Sequence, residues 1–171
     1  MALYRYFATK DDLVNALLDR VLGRFVASPP TDDWLADLRR FTRAHRQVLS
    51  DHPWAMAGFF THPSPGRNAT RIGEVAFEIL RRAFYTRESI VATFGGVLAL
   101  NYGWTSFAAA RTLETENAVE QVRRAMALLP RDEFPYTAEI AGEMISYGSD
   151  RHYDLVLDQY LTGIRIASER T

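Results

Sequence analysis

Met1-Ala2-Leu3-Tyr4-Arg5-Tyr6-Phe7-Ala8-Thr9-Lys10-Asp11-Asp12-Leu13 is the stretch from which the rest of the chain can be placed. It reads as the end of one short helix, a tight break at Ala8 and Thr9, and the start of a longer helix. Leu3 and Phe7 share a helix face, while Tyr4, Arg5 and Tyr6 lie round the other side. Thr9 suits an N-cap, and Asp12 completes a capping-box-like pair with Asp in place of the usual Glu. Lys10 falls in the first turn, where a cation opposes the helix dipole by roughly a few tenths of a kcal/mol. An anionic partner would remove that conflict.

Whole-chain properties limit what such a beginning can belong to. With 171 residues, 47% hydrophobic and 24% charged, the chain fits one domain with a substantial core, or a small head on a larger body. It has no cysteine, which excludes disulfides and thiolate metal sites and suits a reducing cytosol. A net charge of -1 excludes a broadly basic nucleic-acid coat, so any DNA contact is local, and Lys10 is the only lysine. No apolar segment of signal-peptide type opens the chain. Residues Ser89 to Ala110 are uncharged and long enough to span a bilayer. Thr93, Asn101, Thr105, Ser106 and three glycines within them favour a buried central helix instead.

The pattern downstream is helical throughout. Leu13, Leu17, Val21 and Phe25 line one stripe from Thr9 to about Ala27, stopped by Ser28-Pro29-Pro30. Asp32 or Thr31 can cap the next helix, with Trp34, Leu38, Phe41, His45 and Val48 on one face. A short helix from Trp54 to Phe60 leads into the loop Thr61-His62-Pro63-Ser64-Pro65-Gly66. Ile72, Val75, Ala76, Ile79, Leu80 and Ala83 form the next stripe, with Arg71, Glu74, Glu78, Arg81 and Arg82 toward water. There Glu78 and Arg82 stand at attractive spacing. Thr86 can cap the long uncharged helix. Further helices are expected from Glu114 to Leu129, from Tyr136 to Ile145, and from Ser149 or Asp150 to the end. The fold class is all-α.

Two sets of residues invite a functional reading. Phe59 and Phe60 lead into His62 and two prolines, which makes a pocket rim or simply core. His45 on its apolar face is a ligand contact or, as such residues more often are, a core-edge histidine bonded to a carbonyl. Asn101 is a buried amide that needs partners, whether a neighbouring helix or an effector. Trp104 stands beside it. These six, His45, Phe59, Phe60, His62, Asn101 and Trp104, are the candidate ligand contacts.

The second set concerns assembly. In the long helix Ala92, Gly96, Ala99, Gly103, Ser106 and Ala110 make a stripe of small residues. Glycines in a helix interior cost about 1 kcal/mol each relative to alanine, so close approach of a helix or ligand is expected there. The last helix carries Tyr153, Val156, Leu157, Tyr160, Leu161 and Ile164, more apolar surface than one neighbour can cover, which points to a partner chain. Gly96, Ala99 and Gly103 join these as candidate dimerisation residues.

At Leu3, Tyr4, Arg5, Tyr6, Phe7, Lys10, Asp11 and Leu13 the chain resembles the TetR family of bacterial transcription regulators, whose helix-turn-helix ends in this signature. The resemblance implies that Met1 to Phe7 is the tail of a recognition helix and that Tyr4, Tyr6 and Lys10 grip DNA phosphates. Residues 1–27 would be the end of the DNA-binding head with its connecting helix, and 28–171 a regulatory domain that binds ligand and dimerises. Phe134-Pro135, then Leu157-Asp158, Leu161 and Gly163-Ile164, are similar to the closing region of the tetracycline-repressor class. In that class the last helix and the long earlier one pair with their copies in a four-helix interface.

Everything before the signature is absent, including the base-reading end that a helix-turn-helix requires. The 171 residues are therefore not expected to bind operator specifically. A native reading frame is expected to supply two more helices, roughly 30 to 45 residues at ordinary helix lengths.

No catalytic motif is found: no nucleophile elbow, phosphate-cradling glycine loop or dinucleotide fingerprint. The four histidines are scattered, so neither a metal nor a cofactor is expected. The reading that results is a cytoplasmic, ligand-responsive regulator, a repressor released from operator DNA by a small apolar effector, acting as a homodimer without a membrane. Its alternative is a helical dimerisation or adaptor module with no DNA role. An all-helical enzyme with a dispersed site is the weakest of the three.

Overall fold

The computed structural model describes residues 7–62, 66–84, 86–112 and 116–170. Among these the chain forms α-helices and no strand. α1 (Lys10–Leu22) opens with a complete capping box: the Thr9 hydroxyl accepts from the Asp12 N-H at 3.0 Å, and the Asp12 carboxylate accepts from the Thr9 N-H at 2.9 Å. It ends at Gly23, short of the expected Ala27, because Phe25 leaves the helix to stack edge-on against Phe41 at 5.4 Å. Tyr4 and Tyr6 lie outside the described residues.

α2 (Trp34–Ser50) is the post on which the body is built, packing against α1, α4, α5 and α9. Its cap is Asp33, not Asp32 or Thr31: the Asp33 carboxylate accepts from the N-H groups of Leu35 and Ala36 at 2.9 and 3.0 Å. Thr31 is committed elsewhere, donating its N-H and hydroxyl to the buried Asp37 at 3.0 and 2.8 Å. Asp37 also takes charged hydrogen bonds from Arg40 and Arg82. Arg82 thus leaves the expected pair with Glu78 for a buried carboxylate, since a charge-assisted bond away from water outweighs an exposed pair one turn apart.

A 3-10 turn (Pro53–Ala55) leads into α3 (Met56–Thr61), and α4 (Arg67–Arg81) follows. α5 (Arg87–Thr112) is the long helix, uncharged from Ser89 to Ala110, and no helix among the described residues is long and apolar enough to cross a membrane. After α6 (Glu116–Ala127), the single short helix expected from Tyr136 to Ile145 is two, α7 (Pro135–Glu139) and α8 (Ala141–Met144), broken at Ile140. Gly148 turns the chain at φ 83, and Ser149 caps α9 (Asp150–Ser168).

α9 runs antiparallel along α2, and a ladder of ion pairs records the register. Arg39 meets Asp158, Arg43 meets Asp154 at 2.8 Å, and Arg46 meets Asp150 at 2.5 Å. Such partly exposed pairs contribute at most about 1 kcal/mol each. The apolar stripe between the helices does more: Tyr153, Leu157, Leu161 and Ile164 are all buried within the protomer. Two neighbours, α2 and α5, cover what a single one could not. These four side chains are therefore core, and are not free for a partner. Val156 and Tyr160 are half-buried against the same core.

The glycines of α5 divide in the same way. A Cβ on Gly96 would lie 1.9 Å from the Tyr160 hydroxyl oxygen, which donates to the Thr93 carbonyl at 3.1 Å. Gly96 thus serves contact with α9 inside the protomer. A Cβ on Gly95 or Gly103 would meet nothing within 4 Å. We expect Gly96→Ala to lower unfolding stability by about 1–3 kcal/mol through overpacking against Tyr160. Gly95→Ala, which adds a methyl where no neighbour lies within 4 Å, should raise it by up to about 1 kcal/mol. Urea denaturation of both variants checks the contrast.

Candidate functional site

Four helices leave a cavity of about 220 Å³ between them. Leu22, the last residue of α1, closes one side, Ile72 and Phe77 of α4 a second, and Phe94, Leu98 and Tyr102 of α5 a third, with His45 of α2 also lining it. Thr70 and Glu74 stand at its exposed rim, and no Lys or Arg lines it. The walls are mostly apolar and aromatic, with few polar groups, as small-molecule sites are. Phe77 and Phe94 meet edge to face at 5.0 Å, and Phe59 stacks on Tyr102 at 5.8 Å.

His45 is 1% exposed and sandwiched between Phe41 and Tyr102, with ring centroids 6.2 and 5.9 Å away. Its Nδ1 lies 3.0 Å from Nδ2 of Asn101, which also donates to the Thr42 carbonyl at 2.9 Å. The Tyr153 hydroxyl donates to Oδ1 of Asn101 at 2.8 Å. Burial pushes the His45 pKa down to about 4, so the ring is neutral at neutral pH. Burial raises the pKa of Tyr102 as well, and that of Tyr153 to about 12, keeping both hydroxyls protonated.

A second hollow of about 140 Å³ lies beside the link from α1 to α2, lined by Phe25, Asp37, Arg40, Phe41, Ile79 and Arg82 among others. Its charged groups serve one another. Burial alone would raise the Asp37 pKa, but hydrogen bonds from Arg82 and Thr31, with the Arg82 charge, bring it down to about 2. The cluster ties α1's exit to α2 and α4. It is a structural clasp.

Of the six expected ligand contacts, only His45 lines the larger cavity. Asn101 stands directly behind it. Phe59 is buried and supports Tyr102, while Phe60 is 62% exposed and touches Tyr102 edge-on. His62 is half-buried at the end of α3, away from the cavity, its Nδ1 near the Thr61 hydroxyl and the Gly58 carbonyl, and its Nε2 3.8 Å from Asp11. Trp104 packs against Tyr147 and Tyr153, away from the cavity. His45 is held by a side-chain amide, where a backbone carbonyl was the ordinary expectation. Tyr102, Phe77, Phe94 and Leu98 were missed as lining residues. The adjacency of Tyr102 to Asn101 in an uncharged stretch of helix was the available signal.

The fold is thus an all-helical body in which a long central helix is flanked by others around an apolar cavity, and comparison with known proteins gives its kinship. Residues 27–167 match the family model described as "Tetracyclin repressor-like, C-terminal domain", and the chain belongs to that family. It is 36% identical over 104 residues to an HTH-type transcriptional regulator of Saccharopolyspora erythraea, covering 59% of this chain and 42% of that protein. It is 40% identical over 55 residues to an HTH-type transcriptional repressor of Mycobacterium tuberculosis, covering 30% of this chain and 21% of that one. The matched segments thus span less than half the length of these relatives. The fold is that of the Streptomyces coelicolor TetR family protein ActR in complex with actinorhodin, with a TM-score of 0.88 at 20% identity over 98% of this chain and 81% of that one. A possible TetR family transcriptional regulator of Streptomyces coelicolor gives 0.80 at 24% identity over 97% and 82%.

Two pH windows follow from the buried groups. Between pH 6.5 and 4 the unfolded chain takes up a proton at His45 that the folded chain refuses, so stability falls as pH falls through that range. Between 3.8 and 2 the same holds for Asp37, whose carboxylate the fold keeps ionised. In urea unfolding at stepped pH, His45→Gln should flatten the upper slope and Asp37→Asn should reduce the lower one.

Proposed function

We propose that this chain is the regulatory body of a ligand-responsive bacterial transcriptional regulator, a cytoplasmic repressor released from DNA when a small, largely apolar effector enters the α2–α4–α5 cavity. The observation that carries the proposal is that α4 both lines the cavity and holds α1. The Asn68 N-H donates to the Asp19 carboxylate at 2.7 Å, and the Asn68 amide donates to the Asp19 carbonyl and carboxylate at 3.0 and 2.9 Å. Ile72 and Phe77 of the same helix face the cavity, as does Leu22 at the end of α1. An effector that displaces α4 therefore carries α1 with it.

At its other end α1 bears the exposed Lys10, with Tyr4 and Tyr6 just before it in sequence, the residues assigned to DNA phosphates. Phosphate contacts position a head without reading bases. The mechanism is a shift of population between two head spacings, one favoured by effector and the other by operator. Residues 1–27 are assigned to the head and its connecting helix, and 28–171 to ligand binding and dimerisation. The complex of ActR with actinorhodin supports ligand binding for that protein, and the same role is proposed here.

The homodimer is assigned to the open faces of α5 and α9. Ala99 is exposed, Gly103 and Gly163 have room beside their backbones, and Leu155 and Ile166 are 51% and 41% exposed. A Cβ at Gly103 meets no described atom of the protomer within 4 Å, so the Gly103→Leu side chain starts into open space. We expect this variant to keep its circular dichroism and melting temperature while running as a monomer in size exclusion with light scattering. A dimeric Gly103→Leu would remove this face from the proposal.

For the DNA role, the protein as its gene encodes it should retard promoter DNA flanking that gene in a mobility-shift assay, and an absence of specific retardation would count against regulation and for an adaptor role.

A further inference from the structure

The cavity's only imidazole is presented in one tautomer, and the residues that impose it are on three helices. The Thr42 carbonyl can only accept, so the Asn101 atom 2.9 Å from it is the amide nitrogen. The same nitrogen faces His45 Nδ1 at 3.0 Å, and so Nδ1 accepts. Oδ1 of Asn101 is then an acceptor, and the Tyr153 hydroxyl, 2.8 Å away, is its donor. Every proton in the chain Tyr153, Asn101, Thr42 and His45 is thereby placed. The ring proton of neutral His45 belongs on Nε2.

We infer that the effector is an uncharged, ring-containing compound presenting a carbonyl-type acceptor to the Nε2-H of His45, with Asn101 and Tyr153 as positioning residues that set this preference. The inference rests on the cavity being the effector site and adds the chemistry it selects. A neutral ring with Nδ1 occupied can offer a ligand only a donor. Tyr102, whose hydroxyl burial keeps protonated, lines the same cavity. An anion is disfavoured: among the described residues no Lys or Arg lines the space to meet it, and Glu74 at the rim repels it. A cation would meet donors in place of acceptors within. Phe77, Phe94, Leu98 and Ile72 supply flat and branched apolar walls for the ring body. A donor left unpaired by a ligand lacking the acceptor loses its hydrogen bond to water without replacement, and the affinity difference reports that loss.

Three tricyclic probes of nearly one shape separate the possibilities: 9-fluorenone with a carbonyl, fluorene with a methylene and carbazole with an N-H. Titrated into the 171-residue chain at pH 7.5 by calorimetry, fluorenone should bind about ten- to a hundredfold tighter than fluorene, and carbazole no tighter than fluorene. His45→Phe should abolish the preference while fluorene still binds. The second readout is the imidazole nitrogen spectrum of ¹⁵N-labelled protein, which should show His45 protonated on Nε2 alone. Asn101→Leu should give a mixture of tautomers and a smaller fluorenone preference, a change that lost packing alone would not produce. Should that variant fail to fold, the spectrum of the unaltered protein still decides, and a proton on Nδ1 overturns the inference. Equal binding of all three probes overturns it too, while leaving the cavity as a ligand site. Should none of the three bind, the effector cavity itself falls, and this inference with it.

Discussion

The side-chain amide of Asn101, wholly buried in the middle of an uncharged stretch of helix, is the constraint on which the body depends. It reaches α2 twice, at the Thr42 carbonyl and at His45, and takes a hydrogen bond from Tyr153 on α9. Leaving such a group unpaired in the core costs about 1–3 kcal/mol, whereas apolar contacts alone tolerate sliding. α2, α5 and α9 can therefore meet in few arrangements other than this one. The arginine and aspartate ladder along α2 and α9 agrees with that register, and Arg46 adds its guanidinium 4.0 Å above the Tyr153 ring.

Much of this was legible in the order of residues, because much of it is local. Thr9 with Asp12, and Ser149 before the last helix, act within a turn of themselves, and the apolar stripes of α2, α4 and α9 follow from helical spacing. The missed boundaries have local causes too. Gly23 releases the chain so that Phe25 can reach Phe41, and Ile140 breaks what reads as one helix. What spacing cannot show is which distant group claims a side chain. Thr31 and Arg82 were read as a cap and a surface charge, yet both belong to Asp37, which Arg82 reaches across 45 positions. The cavity was illegible for the same reason, since its walls come from four helices whose mutual placement no single stretch encodes.

The glycines of α5 show how one pattern conceals two purposes. Gly96 and Gly103, spaced as one small-residue stripe, face different surroundings: Gly96 admits Tyr160 from within the protomer, while Gly103 looks onto open space. The apolar residues of α9 divide likewise into a buried stripe and the exposed Leu155 and Ile166. Sequence periodicity finds the helix and its faces. Only the packing says which face is already occupied.

Lys10 carries a practical consequence of its own. It is the chain's only lysine and lies exposed in the first turn of α1, the helix tied to α4 through Asp19 and Asn68. Within these 171 residues acylating chemistry has one side-chain target. A fluorophore or spin label placed there would sit on the connecting helix without any engineered cysteine, and in a twofold assembly the two labels would measure how far apart those helices stand.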